Sequence, residues 1–584
     1  MNPRGSIDRF LEAHDRALFA GLFLAALLLR LFALDSAPLG NAEAAEAWGA
    51  WNLLRGEASA SVSALYSSLT AGLLFLAGPS HWAPRLLPAL AGAAAVFLPR
   101  LFLPSRGKLE ALLAALLIAI SPTLWISSVQ AGGAAPGFLT AALCILYLRT
   151  KEPRPLPAGI SLGLAATSGP VGWSGLALGA VVLAVEGLGR LGKSPLADPP
   201  VSKSVLTTFR RIFQEPAGPA GFLFGLAVGG TGLFFFPRGI GTLAAGLSNW
   251  AAAFLSGLPR VGELVLWMSA YEPVAFLFGA AGMILLARRV LAGENGFWVR
   301  FAAAAAVWIL LRPAAFPGEM QWLILPLIIL GAAALRTAWE SSGIVERPAV
   351  AAMAAGSAAV LSIFTVLLWS EYEAAGNWIF LALPGLLILG AAAAFFLSSG
   401  NVRGMIGPAL AGVSIALFVV FGIGQAGASW NAAYNRRMSA NELFWQDAVT
   451  ADLTSLRGTI ERISAWQTGV KDELVVAVQW PEDSALGWEL LTYGAAEYIG
   501  LADSSSAPPM LIAPYAEQDG SVVTPRLAAA YRGQLFSVFE RRAWSGWPPD
   551  PIGWLFYREG PVERGRFILW VRTDILVPEE KVEP

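Results

Sequence analysis

The chain has 584 residues, of which 56% are hydrophobic and 14% charged, with a mean hydropathy of +0.58. Soluble proteins carry roughly a quarter charged residues. Composition therefore excludes a disordered chain, a collagen-like fibre and an ordinary cytosolic enzyme, and points to a polytopic membrane protein. A net charge of −1 gives polyanion binding no support, so no nucleic-acid partner is expected. The single Cys144 excludes an intrachain disulfide framework and a Cys-rich zinc site, and His14 and His81 alone exclude a multi-histidine metal site.

A helix rises about 1.5 Å per residue across about 30 Å of hydrocarbon, so apolar runs near 20 residues are membrane-helix candidates. Thirteen such runs follow in order: 17–34, 82–103, 109–126, 134–149, 156–168, 170–187, 219–237, 262–287, 298–314, 320–335, 348–369, 377–398 and 404–424. The fifth is short, and 156–187 reads as two runs, one broken hairpin or one long helix. The first lacks a small-residue cleavage site and is not a cleavable signal. With the N-terminus in the cytoplasm, twenty Arg and Lys residues fall inside, Arg100, Arg106, Arg288 and Arg289 among them. Only Arg55, Arg85, Arg238, Arg260 and Arg312 fall outside, as the positive-inside rule requires. An odd number of spans then places the C-terminal region outside.

Residues 1–429 form the transmembrane domain, with an exterior loop over 35–81. From 430 the character changes to alternating apolar and polar stretches with turn clusters such as Pro548-Pro549-Asp550-Pro551. Glu473–Val478 predicts a strand, Gly487–Tyr498 a helix and Pro509–Ala513 a further strand. Residues 430–584 suffice for one extracytoplasmic α/β domain.

Two exterior segments stand out. In the first, 30–56, an interfacial helix runs to Gly56, with Asn41 as its expected cap, and a second apolar stretch follows at 62–77. Glu43 and Glu46, three apart, share a helical face. Carboxylates there can hold a divalent cation, activate a hydroxyl acceptor, or face water. Arg30 near the end of the first span is a functional candidate; the alternatives are snorkelling or pairing with Asp35. In the second segment, 312–322, Arg312 has the guanidinium geometry that suits a lipid phosphate, or it anchors the interface. Arg85 lies at the mouth of the second span, and Ser127 and Gln130 close the loop after the third. Ionisable groups thus gather at one leaflet and not at the midplane, which favours headgroup chemistry over secondary transport.

The order of these features resembles the C-type integral-membrane glycosyltransferases (GT-C), and within them the family-39, protein-mannosyltransferase-related branch of bacteria and archaea. Residues 30–56 are similar to that family's first exterior loop, His81–Gly92 to its second-span entry, Ser121–Gln130 to the end of its third span, and Phe316–Leu335 to a late aromatic-Leu-Leu-Pro span. The tail is similar through Ala485–Tyr493 and Trp544–Trp554. The resemblance implies a GT-C-like fold of about thirteen transmembrane helices with a C-terminal extracytoplasmic α/β domain, in the cell membrane. It implies transfer of a sugar from a polyprenyl-phosphate donor to a glycan or protein acceptor. Glu43 would activate the acceptor or hold a Mg or Mn ion, with Glu46 in support, and Arg30, Arg85 and Arg312 would bind the donor phosphate. The family's acidic pair falls on Ala42 and Glu43, its preceding histidines on Gly40 and Asn41, and a basic residue on Gln130. Either Glu43 or Glu46 takes over the missing carboxylate, or the chain is a catalytically degenerate relative that binds lipid-linked glycan or serves as a structural envelope subunit. A lipid flippase is a third reading.

Overall fold

The computed structural model describes residues 3–32, 34–59, 61–103, 107–150, 154–191, 210, 212–254, 256–257, 261–290, 295–313, 317–341, 344, 346–375, 379, 403–445, 447–500, 507–518, 521–522 and 527–576. Helix α1 (Pro3–Leu31) is followed by two short helices, α2 (Asn41–Leu54) and α3 (Ala64–Ala77). Then come α4 (Ala83–Ala94), α5 (Leu98–Phe102), α6 (Lys108–Ile120), α7 (Pro122–Val129), α8 (Ala134–Arg149), α9 (Pro155–Thr167) and α10 (Pro170–Leu191). Further helices cover Ala217–Thr231, Thr242–Ala252, Val261–Tyr271, Pro273–Val290, Asn295–Leu311, Gln321–Ser341, Pro348–Ala375 and Arg403–Trp430.

Among the described residues, four helices are long and apolar enough to cross a bilayer, or six if each of two bent pairs is one span. The expected run at 109–126 is α6 and α7, bent by 52°. Pro122 lacks the N–H that would continue the ladder, and Ser121 caps the new helix by accepting from the Leu124 N–H. The run 262–287 is not straight either: it bends by 107° at Glu272-Pro273. The two breaks are bonded to each other. Buried Glu272 accepts from Ser121 Oγ (2.6 Å), the Thr123 N–H (2.9 Å) and Gln425 Nε2 (3.0 Å). The 156–187 region is two helices, α9 and α10. The run 377–398 lies, apart from Ile379, outside the described residues.

Small residues set the helix spacing, as expected where backbones pack closely in lipid. A Cβ placed on Gly163 of α9 would stand 2.4 Å from the Phe222 carbonyl oxygen of helix Ala217–Thr231. Charged groups divide between the ends of the bundle. Asp15 in α1 pairs with Arg100 (2.9 Å) and Lys108 (3.2 Å). Arg30, fifteen residues on and about 22 Å along the same helix, belongs to the end that carries the sheet.

That sheet has six strands in the order β1-β7-β8-β4-β2-β3: β1 (Asp447–Val449), β2 (Val476–Val478), β3 (Ala496–Tyr498), β4 (Met510–Pro514), β7 (Tyr531–Arg542) and β8 (Val562–Arg572). Between β4 and β7, β5 (Glu517–Gln518) and β6 (Ser521–Val522) form a separate hairpin. The strand expected at 473–478 is β2, and that at 509–513 is β4. The helix expected over 487–498 is corrected: only Ala485–Leu490 is helical, and Ala496–Tyr498 is a strand. Parallel pairing with β2 (Val476↔Ala496) overrides the local preference there.

The sheet does not close its core with its own residues alone. Ala44, Ala47, Trp48 and Ala50 of α2 are buried in the same apolar cluster as Leu453, Leu486, Met510 and Leu569. Trp48 meets the Trp488 ring edge-on at 6.0 Å and donates from Nε1 to the Ser484 carbonyl (3.3 Å). The segment after α1 is thereby held between bundle and sheet.

Candidate active site

Helix α2 starts after Gly40, whose backbone is extended at φ −66°, ψ 164°. Glu43, at the third position, accepts the Gly40 N–H on Oε2 (3.0 Å) and satisfies a donor that the helix start would otherwise orphan. Asn41 is therefore not the cap expected from the sequence. Its Oδ1 instead accepts from the Ala485 N–H (3.2 Å), tying α2 to the sheet region.

Glu43 is 5% exposed and is the hub of an ion-pair cluster. Arg85 donates to it twice, Nε to Oε1 (2.9 Å) and Nη2 to Oε2 (2.8 Å), in the bidentate geometry that strengthens such pairs. Arg437 Nη2 (3.2 Å) and the Ala131 N–H (2.9 Å) add to Oε1. Burial pushes the carboxyl pKa up, but the Arg85 and Arg437 guanidiniums outweigh it and hold the pKa at about 2. Burial and the neighbouring Arg85 bring Arg437 down to about 10, which leaves it cationic at neutral pH. Two guanidiniums around one carboxylate leave a net positive cluster. Arg437 Nε and Nη1 have no hydrogen-bond partner among the described residues.

The other expected residues have specific neighbours. Arg85 also gives Nη1 to the Leu34 (2.8 Å) and Ala37 (2.7 Å) carbonyls and Nη2 to that of Pro38 (2.9 Å). A guanidinium has five N–H donors, and all five are engaged. Arg85 thus clamps the turn between α1 and α2 and has none left for a phosphate, a correction to the role expected for it. Arg30 neither snorkels nor pairs with Asp35: it is buried, donates Nε to Ser128 Oγ (2.9 Å) and Nη1 to the Ala26 carbonyl (3.2 Å). Its Nη2 has no partner among the described residues. Gly92 makes room for this contact, since a Cβ there would stand 2.2 Å from Ser128 Cβ.

Arg312 is buried and pairs with Glu319, Ser174 Oγ (2.5 Å) and the Trp250 carbonyl (2.8 Å). Its guanidinium lies 4.8–5.6 Å from the Phe254, Trp250 and Trp308 ring centroids. These contacts pin the 317–321 segment; none of them reaches Glu43. Glu46 accepts from Ser61 Oγ (2.5 Å) and holds the chain before α3, while burial pushes its carboxyl up.

The two segments singled out in the sequence nevertheless meet at one cavity of about 300 Å³. Its walls include Ala42 and Glu43 from α2, Thr123, Ser127 and Gln130 from α7 and its end, Gly318 and Gln321, and Phe444 and Asp447. Gln130 donates Nε2 to the Phe444 carbonyl at 3.4 Å. Arg437 and Asp447 were not foreseen. The one sequence signal was an Arg436-Arg437 pair twelve residues beyond the last apolar run, with Arg437 394 residues from Glu43.

No family model matches the sequence, and no curated protein matches it. Among solved structures, ArnT from Cupriavidus metallidurans bound to undecaprenyl phosphate is similar at a TM-score of 0.50 and 16% identity, covering 84% of this chain and 92% of that one. The Archaeoglobus fulgidus oligosaccharyltransferase in its apo form gives a TM-score of 0.42 at 14% identity, over 82% of this chain and 64% of that one. Arabinosyltransferase EmbB from Mycobacterium smegmatis gives 0.37 at 14% identity, over 73% and 42%. The chain shares the fold of this ArnT, a fold of the GT-C type that the sequence resembles. Position 42, where the sequence resemblance places an acidic residue, carries Ala42 at the cavity wall.

Proposed function

We propose that the protein is a membrane glycosyltransferase that moves a sugar from a polyprenyl-phosphate donor to a glycan or protein acceptor on the extracytoplasmic face of the cell membrane. The observation that carries this is the net-positive cluster of Glu43, Arg85 and Arg437 beside the cavity between bundle and sheet. A phosphate leaving with a negative charge is stabilised by a preorganised cation that costs no reorganisation during reaction. Arg30, Arg312 and Arg437 retain buried N–H groups without a partner among the described residues, whereas Arg85 has none, so the donor-phosphate role falls to those three, with Arg85 holding the wall. Glu43 stays ionised and orders the cluster. Undecaprenyl phosphate, the lipid bound by the similar ArnT, is the carrier to test first.

The Mg or Mn ion expected at Glu43 does not fit the residues present. Both its oxygens are engaged by five N–H donors, and among the described residues no three His, Cys, Asp or Glu side chains converge. No step is routed through a metal. A second reading, a lipid-linked-glycan binder without turnover, is favoured by Ala42 and by the saturation of Glu43. Purified protein incubated with labelled undecaprenyl-phosphate hexoses separates the two: transfer supports the enzyme, and binding without transfer supports the binder.

A further inference from the structure

Sugar transfer to a hydroxyl requires a group that accepts the hydroxyl proton, and such a base contributes roughly 10²–10⁴-fold to the rate. Two acidic residues line the cavity, Glu43 and Asp447. Glu43 has both oxygens bonded to guanidinium and backbone N–H groups, and a proton added to either would break the bidentate pair with Arg85. Ala42, exposed on the same wall, has nothing to titrate.

We propose that Asp447 is the catalytic base, an assignment that rests on the transferase reading above. Asp447 opens β1, the edge strand that the sheet extends toward the bundle. Its side chain is 36% exposed, which gives a path for the proton to water. Its cross-strand partner in the β1–β7 register is Arg541, whose Nε holds Oδ1 at 2.7 Å. One oxygen is thus oriented by a cross-strand donor on an exposed side chain, as a base supported by a third group would be. Thr123, Ser127, Gln130 and Gln321 line the same cavity with neutral hydroxyls and amides that suit sugar hydroxyls.

In the step, the acceptor oxygen forms a bond to the anomeric carbon while the bond from that carbon to the phosphate oxygen breaks. The electron pair leaves with the lipid phosphate. The hydroxyl proton passes to the Asp447 carboxylate and then to water. No further reactant is needed. The carboxylate that position 42 lacks is in this way supplied from the far end of the chain.

The test uses the full-length protein in nanodiscs, with labelled undecaprenyl-phosphate hexose as donor and octyl glucoside as hydroxyl acceptor. Asp447→Asn is expected to lower kcat by about 100-fold or more while the Kd for undecaprenyl phosphate stays within about threefold. Asp447→Ala is expected to recover part of its kcat on addition of formate, which a merely structural role would not show. Turnover by Asp447→Asn within threefold of wild type overturns the assignment. So does a parallel loss of kcat, donor affinity and folding without rescue. Wild-type protein that binds the lipid but turns over no donor overturns the transferase reading, and this assignment with it.

Discussion

Replacing Glu43 by Gln removes one charge at nearly constant volume and leaves two buried guanidiniums facing no carboxylate. Removing one partner of a buried ion pair costs about 3–5 kcal/mol. The lowered pKa, caused by the same Arg85 and Arg437 partners, points the same way. Lowering from the ordinary 4.5 to about 2 corresponds to about 3 kcal/mol, at roughly 1.4 kcal/mol per pKa unit. Because the folded value lies below the unfolded one, this contribution is complete above about pH 4.5 and is lost as pH falls toward about 2. Denaturant unfolding of purified protein in detergent should show Glu43→Gln less stable by about 3–5 kcal/mol at pH 7, with the difference shrinking as pH falls from 5 to 2. The double variant Glu43→Gln/Arg85→Met should be less damaged than the sum of its parts, since one of the two stranded cations is gone. A Glu43→Gln protein within about 1 kcal/mol of wild type at pH 7, or a gap that does not narrow in acid, would refute the hub.

Two further outcomes follow from the packing. Arg85→Lys keeps the charge but offers three donors for five acceptor contacts and no planar fork, so it should cost at least about 2 kcal/mol and expose 34–43 to limited proteolysis; wild-type resistance would contradict the clamp. Gly163→Ala puts a methyl 2.4 Å from the Phe222 carbonyl oxygen and should cost about 1–3 kcal/mol by overpacking, read from the same unfolding curves.

The helical, apolar character of the chain and its C-terminal sheet were legible, because membrane helices announce themselves by apolar length and their interfaces by small residues; of the thirteen expected spans, four to six are long and apolar enough among the described residues. Legibility failed where tertiary contacts decided the outcome. Hydropathy runs straight through Glu272-Pro273, yet the proline breaks the helix and the carboxylate bonds to the other break at Ser121. The acidic start of α2 was visible, and so was Arg85 as an ionisable residue near a span end. That Arg85 is a clamp depends on three carbonyls of a turn, which no side-chain pattern encodes. Arg437 and Asp447 come from beyond the last apolar run; tertiary packing brings Arg437 onto Glu43 and the Val129 carbonyl, and Asp447 to the cavity wall. Asn41 illustrates the same point: its side chain would have capped the helix in isolation, but the Ala485 N–H takes it.

A cavity beside Glu43 that serves a lipid-linked sugar must receive a polyprenyl phosphate. Native mass spectrometry of the purified protein titrated with undecaprenyl phosphate measures this. Saturable binding that is lost when Ala42, exposed at the cavity wall, is replaced by Trp is the predicted result. Equal binding by wild type and Ala42→Trp, or none by either, would contradict it.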